Sequence, residues 1–139
     1  MFIDCRDLTE PQSLSVDVCI VGAGAAGITL ARDLIASGLR VCVLEAGGFT
    51  LEDSDQDLSN AVNVGLPYRG LNQRGRAFGG STYLWAGMCA PLAPEDFEER
   101  EWMALSGWSI SSVDLDPFYK LAQRTCEVGD SEYDAAALS

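Results

Sequence analysis

The sequence predicts an α/β fold that opens with a strand–helix–strand unit and a parallel sheet. Three observations carry that prediction. Val16 to Val21 is a short run rich in β-branched residues, the pattern of a strand buried on both faces. Between Ala25 and Ser37 the apolar positions Ala26, Leu30, Ala31 and Leu34 recur at helical spacing, with Arg32 and Asp33 facing away. Val41 to Leu44 is a second strand of the buried type. Strand, helix and strand within about thirty residues make one βαβ unit, whose parallel pairing requires a right-handed crossover.

Residues 1–15 read as an irregular arm, with Pro11 and the polar pair Gln12-Ser13. Gly22 to Gly27 follows the first strand at once, and Gly38 ends the helix as a left-handed cap. Residues 46–75 show no periodicity and are expected to form a long loop. It carries Gly47-Gly48, an acidic stretch around Glu52, Asp53, Asp55 and Asp57, then Gly65, Pro67 and Gly70. Arg74 to Met88 is a second glycine-rich segment. Residues 91–110 hold Pro91, Pro94, the acidic pairs Glu95-Asp96 and Glu98-Glu99, and Trp102 and Trp108. The acidic run reads as a solvated face, and the tryptophans as anchors for the following helix. That helix is expected to start near Ser111, where Asp114 stands at capping-box spacing. Asp116-Pro117 has the form of a second N-cap with proline at the first helical position. The helix runs on through Phe118, Leu121, Ala122 and Thr125 to about Glu127.

Composition narrows the function. With 139 residues the chain is expected to hold one domain. Lys+Arg 9 against Asp+Glu 21 gives a net charge of -12. Such a surface repels phosphate backbones, so neither nucleic acid nor an anionic membrane is expected as a partner. Apolar runs stay well short of the roughly 20 residues of a membrane span, and Met1 to Arg6 lacks a basic-then-apolar leader. The absence of histidine removes any Ser-His or Cys-His pair, histidine metal ligand or histidine base from this chain. Five cysteines, Cys5, Cys19, Cys42, Cys89 and Cys126, include no C-x-x-C pair. An odd, unclustered set fits reduced thiols in a cytoplasmic protein. Cys19 and Cys42 read as small hydrophobes within buried strands, and Cys89 and Cys126 as lacking a partner at useful spacing.

Gly22-Ala23-Gly24-Ala25-Ala26-Gly27 is G-x-G-x-x-G. It follows a strand, opens a helix and precedes a second strand ending in Glu45, eighteen residues beyond Gly27. That is the context of the dinucleotide fingerprint on a doubly wound, Rossmann-like sheet. Gly22 permits the tight turn, Gly24 lets a pyrophosphate approach the backbone, and Gly27 lets the helix pack on the strands. The helix N-terminus offers N–H groups and partial positive charge to phosphate. Glu45 would accept from the adenosine ribose, and its charge would repel a 2′-phosphate, which argues against NADP. In the second glycine-rich segment, Gly79-Gly80 allows close backbone approach. Ser81 or Thr82 would cap a following helix, and Tyr83 and Trp85 offer flat apolar surface.

Together these segments resemble the glucose–methanol–choline (GMC) family of flavin oxidoreductases, bacterial type. The resemblance rests on Asp17 to Gly27, Leu44-Glu45-Ala46-Gly47-Gly48 and Phe78 to Gly87. It continues in Ser106-Gly107-Trp108-Ser109-Ile110 and Leu115-Asp116-Pro117-Phe118-Tyr119. It implies a FAD-binding domain, begun here over residues 16–90, with residues 91–139 leading toward a separate substrate domain. It implies oxidation of an alcohol or sugar by hydride transfer to flavin N5, with a histidine near the far end of the family's chains as base. Cofactor contacts are implied at Gly22, Ala23, Gly24, Ala25, Ala26, Gly27, Glu45 and Ala46, and at Arg76, Gly79, Gly80, Ser81, Trp85 and Gly87. Some relatives attach FAD through a histidine where this chain has Tyr83, so FAD is expected here without a covalent link.

Only two strands are evident where a doubly wound sheet needs several. The chain is therefore expected to be the front part of a larger protein, with the faces of both strands partly exposed in it. Two other readings remain. An NAD-dependent Rossmann dehydrogenase accounts for Gly22–Gly27 and Glu45, but leaves Phe78–Met88 unexplained and demands a second βαβ unit after Glu45. An inactive, truncated nucleotide-binding remnant is compatible with either ancestry.

Overall fold

The computed structural model describes residues 1–66 and 74–129. The part of the expected loop that holds Pro67 and Gly70 lies outside the described residues, as does the tail from residue 130 onward. The chain divides into two compact units, Met1–Gly87 and Met88–Ser139.

In the first unit β1 (Val18–Val21) and β2 (Val41–Leu44) pair in parallel, with Val18 opposite Val41 and Val21 opposite Leu44. Helix α1 (Ala25–Leu34) makes the crossover and tightens into a 3-10 turn over Ile35–Ser37. Gly38 then turns left-handed at φ 77°, a conformation that costs glycine little because it has no Cβ. This is the βαβ beginning of a Rossmann-like domain, as the apolar spacing predicts. β1 starts two residues later than Val16 because Asp17 is occupied. Its carboxylate accepts from the Arg40 backbone N–H at 2.8 Å and from the guanidinium at 3.2 Å, bracketing the entrances of both strands. The Arg40 guanidinium first, then its N–H, hold Asp17 below the usual carboxylate range.

Burial on both faces is corrected. Residues alternate across a strand, and α1 covers only the face that carries Val18, Ile20, Val41 and Val43. Ile20 is buried, whereas on the other face Val21 is 84% and Leu44 49% exposed. Cys19 is exposed and Cys42 only half-buried, so neither is a core hydrophobe. The partial exposure expected of these strands is thus present.

The loop after β2 is not irregular throughout. A short helix, α2 (Asp53–Gln56), runs into a 3-10 turn over Asp57–Ser59. Nor is the N-terminal arm free. Cys5–Asp7 forms a 3-10 turn capped by Asp4, and Arg6 reaches Asp4 at 2.8 Å and Glu52 at 3.0 Å. Phe2, Phe49 and Phe78 stack in sequence, with ring centroids 4.4 and 5.7 Å apart.

In the second unit Phe97 is buried. Its carbonyl accepts from Trp108 N–H at 3.1 Å, and the two rings lie 6.5 Å apart. Trp102 is 77% exposed and lies beside the Arg100 guanidinium, 5.9 Å from the ring centroid. It packs on a cation in solvent rather than anchoring a helix. Helix α3 spans Ser112–Cys126 without a break at Asp116, so the second N-cap is corrected. Pro117 lacks the N–H that would bond the Val113 carbonyl. Val113 is 71% exposed, so water can satisfy that carbonyl, and the helix continues.

The start near Ser111 holds. The Asp114 carboxylate accepts from both the N–H and the hydroxyl of Ser111, each at 2.8 Å. These bonds, the N–H first, keep Asp114 below the usual carboxylate range. A lowered folded pKa contributes stability above the unfolded value and loses it as pH falls through the folded one. Asp114→Asn is therefore expected to reduce helical circular dichroism at neutral pH and to converge with wild type below about pH 4. A difference between the two proteins that persists unchanged into acid would contradict this.

Candidate cofactor site

The glycine turn between β1 and α1 forms one wall of the site. Gly22 is left-handed at φ 98°, and its N–H donates to the Leu44 carbonyl at 2.7 Å. The turn thereby stays tied to the end of β2. Ala23 is fully buried beneath it. Gly24 is the N-cap of α1 and brings no capping side chain, so the first-turn N–H groups lack the acceptor a serine or aspartate would supply. A Cβ added to Gly22 or Gly24 would meet nothing within 4 Å. Space is thus open in front of the turn. Gly27 differs, because a Cβ there would stand 2.0 Å from the Gly22 carbonyl oxygen. Ala25 and Ala26 are exposed on the first turn of α1.

Glu45, just past β2, folds back over this turn. One carboxylate oxygen accepts from Ala23 N–H at 2.7 Å and the other from Gly47 N–H at 3.0 Å. A carboxylate offers about four lone-pair sites, so acceptor capacity remains for ligand hydroxyls. Ala46 is exposed beside it.

The second glycine-rich segment docks on the first by backbone alone. Gly79 bridges Gly24 in parallel, and its N–H donates to the Ala23 carbonyl at 2.7 Å. Gly80 approaches so closely that an added Cβ would lie 3.1 Å from Gly24 Cα. On its other side the segment meets the loop after β2. Phe78 N–H donates to the Gly48 carbonyl at 2.8 Å, and a Cβ on Gly47 would lie 2.0 Å from the Arg76 carbonyl oxygen. The two motifs and Glu45 therefore form one constellation of close backbone contacts.

Ser81 does not cap a helix. Residues Gly80–Tyr83 form a 3-10 turn whose N-cap is Gly79. The Ser81 hydroxyl accepts from Gly75 N–H at 3.2 Å, and the Thr82 hydroxyl donates to the Gly79 carbonyl at 2.6 Å. Tyr83 donates its hydroxyl to the Phe49 carbonyl at 2.7 Å. Trp85 is 48% exposed beyond this turn, and Gly87 is left-handed at φ 76°. Arg76 is held by its backbone, and its Nε is a buried side-chain atom with no hydrogen-bond partner among the described residues. A buried guanidinium N–H without an acceptor fits a site that receives an anionic or carbonyl oxygen.

Sequence reasoning missed two supports. Gln56 on α2 clamps Arg76, accepting from its N–H at 2.9 Å and donating to its carbonyl at 3.0 Å. Asp55 accepts from Gly48 N–H at 3.1 Å. The signal for them was the acidic stretch at residues 52–57, which has the composition of a helix N-terminus but is too short to show periodicity.

A fingerprint turn, an acidic residue after the second strand and a second glycine segment laid across both define a dinucleotide-binding class of protein. Comparison with known proteins makes the class specific. A family model described as FAD dependent oxidoreductase matches residues 17–137. The chain belongs to that family, and the cofactor it implies is a flavin. The chain is 30% identical over 140 residues to 6'''-hydroxyparomomycin C oxidase of Streptomyces lividus, which covers 86% of this chain and 24% of that protein. It is 27% identical over 155 residues to the fructose dehydrogenase large subunit of Gluconobacter japonicus, covering 85% and 28%. An uncharacterized GMC-type oxidoreductase of Mycobacterium tuberculosis is 32% identical over 118 residues, covering 76% and 18%. The chain thus spans between about a fifth and little more than a quarter of the length of these relatives. No solved structure matches it. Among the described residues no helix is long and apolar enough to cross a membrane.

Proposed function

We propose that this chain is the FAD-binding segment of a GMC-type oxidoreductase, bacterial type, acting on CH–OH donors such as an alcohol or sugar. The observation that carries the reading is the docking of Gly79-Gly80 onto Gly24. A plain NAD-binding βαβ unit leaves a second glycine-rich segment unexplained, whereas the GMC resemblance implies one lying against the flavin. The names of two relatives, 6'''-hydroxyparomomycin C oxidase and fructose dehydrogenase, support a hydroxyl-bearing donor.

Gly22, Ala23, Gly24 and the first turn of α1 (Ala25 to Gly27) would hold the diphosphate on N–H groups and the helix dipole. Glu45, with Ala46 beside it, would hold the ribose hydroxyls. Arg76, Gly79, Gly80, Ser81, Trp85 and Gly87 would line the remainder of the cofactor. When bound, FAD supplies the acceptor for hydride. This chain's own residues orient the cofactor and keep water from its diphosphate. The chain contains no histidine, so a histidine base is not among its residues, and alone it is expected not to oxidise alcohols. Tyr83 already spends its hydroxyl proton on Phe49, which favours FAD held without a covalent bond. Five cysteines, none in a disulfide, fit a reducing compartment such as the cytoplasm. Residues 16–90 would form the cofactor-binding part, and residues 91–139 the approach to a donor-binding region.

The test is the visible spectrum of the protein that carries this segment, before and after acid precipitation. A flavin spectrum that moves wholly into the supernatant is expected. Flavin retained in the pellet would refute non-covalent binding, and a colourless protein that takes up no FAD would refute the reading itself. Bleaching of the flavin band by an alcohol or sugar without oxygen would identify the donor class, whereas bleaching only by amines would exclude it. Glu45→Ala is expected to weaken FAD binding by about 1.5–3 kcal/mol, the range for hydrogen bonds to a charged group. Unchanged affinity measured by flavin fluorescence titration would remove Glu45 from the site.

A further inference from the structure

The Gln56 carboxamide grips the Arg76 peptide from both ends. Its oxygen accepts from Arg76 N–H at 2.9 Å, and its nitrogen donates to the Arg76 carbonyl at 3.0 Å. This is the donor–acceptor exchange that a neighbouring strand would make, supplied by one side chain. The carboxamide is held the right way round, because the same nitrogen also donates to the Glu52 carbonyl at 3.3 Å. Ala77, the next residue, is fully buried. Phe78 and Gly79 are fixed in turn by their N–H bonds to the Gly48 and Ala23 carbonyls. The Arg76 side chain therefore leaves a main chain that cannot shift. Its Nε is a buried side-chain atom with no hydrogen-bond partner among the described residues. A charged N–H buried without an acceptor is costly, and a looser peptide would let the guanidinium swing out to water.

We propose that Gln56 is a positioning residue that holds Arg76 ready for an anionic or carbonyl oxygen of the bound cofactor, and so sets FAD affinity from outside the site. The inference rests on the FAD-binding reading above. With the peptide fixed, the unpaired N–H is buried before any ligand arrives, and a cofactor oxygen relieves that cost on binding. Preorganisation of this kind raises affinity without any contact between Gln56 and the ligand. An aliphatic side chain of similar size cannot take over, because it neither accepts from the Arg76 N–H nor donates to the Arg76 carbonyl. A protonated carboxyl group can, since it carries one donor and one acceptor, whereas a carboxylate only accepts. The charged groups around this position are Glu52, Asp53, Asp55 and Asp57 in and beside α2, Arg76 on the glycine segment, and Arg6 on the arm, which pairs with Glu52 at 3.0 Å.

The experiment is flavin fluorescence titration with FAD of the full-length protein that carries this segment, as wild type, Gln56→Leu, Arg76→Ala and the double variant. Gln56→Leu is expected to weaken FAD binding about tenfold, the effect of losing two hydrogen bonds of ordinary strength. In the Arg76→Ala background the same substitution should change affinity less than about twofold, because Gln56 acts through the guanidinium. An equal loss in both backgrounds would overturn the proposal and leave Gln56 as a brace of the main chain. Gln56→Glu keeps the shape of the side chain and carries the test where Gln56→Leu does not fold. With four acidic groups on its own element, the introduced carboxyl takes up a proton above the ordinary carboxylate range. Its FAD affinity relative to wild type, compared at each pH, should be low at about pH 8 and recover toward about pH 5. A ratio that stays constant over that range would equally overturn the proposal. Wild type that takes up no FAD would overturn the underlying reading and this inference with it. Uptake by wild type with unchanged affinity in Gln56→Leu would overturn this inference alone.

Discussion

Gly27→Ala is expected to unfold the Met1–Gly87 unit. The added Cβ would stand 2.0 Å from the Gly22 carbonyl oxygen and 3.4 Å from the Ile20 side chain. The first neighbour is backbone, fixed by the hydrogen bond from Gly22 N–H to Leu44, and it cannot rotate aside. Either α1 lifts off the sheet or the turn loses its tie to β2. Overpacking of this kind costs about 3 kcal/mol, a large part of the 5–15 kcal/mol that typically separates folded from unfolded. The unit has little margin, since Ile20, Ala23 and Ala77 are the buried apolar residues described in it. Urea titration of the variant should show a lost or far earlier transition. A midpoint equal to wild type would mean that the close packing of turn and helix does not exist in solution.

Gly24→Val should do the opposite, keeping the fold and losing the cofactor. At Gly24 the backbone is ordinary, φ -78°, and a Cβ would meet nothing within 4 Å. The stability cost is that of a poor N-cap, about 1 kcal/mol. A branched side chain would instead fill the space before the helix N-terminus where a diphosphate must come close. FAD affinity is expected to fall about a hundredfold or more, roughly 3 kcal/mol. Measured side by side, the two variants separate a glycine kept for packing from one kept for a ligand. Full flavin occupancy in purified Gly24→Val would remove Gly24 from the binding site.

How much was legible in the sequence follows from how local each signal is. β2 and α1 were readable because a β-branched run and a helical apolar spacing are properties of consecutive residues. The glycines of the turn were readable because the fingerprint is a local code for one backbone shape. The start of β1 was misplaced because Asp17 is claimed by Arg40, across the whole crossover. Helix α2 was missed because four residues make a single turn with no period to detect, and Gln56 was missed with it. Pro117 misled because proline most often opens a helix. Here Asp114 had already capped one, and the exposed Val113 carbonyl made the lost hydrogen bond tolerable. The meeting of Gly79 with Gly24 belongs to the tertiary register, which no window of neighbouring residues encodes.

The Gly24–Gly79 bridge also sets an order of events during synthesis. Its partners are separated by about 55 residues, and translation proceeds at about 5–20 residues per second. The fingerprint turn and α1 therefore leave the ribosome several seconds before the glycine-rich segment that seals them. During that interval the phosphate-binding turn has only the Leu44 carbonyl and Glu45 to brace it, and the Ala23 carbonyl has no amide to accept from. A cofactor arriving early would find half a cradle. The nascent chain must hold an open, sticky βαβ unit until residues 76–80 emerge, and this makes that interval the point at which chaperone capture or misassembly would act on the protein.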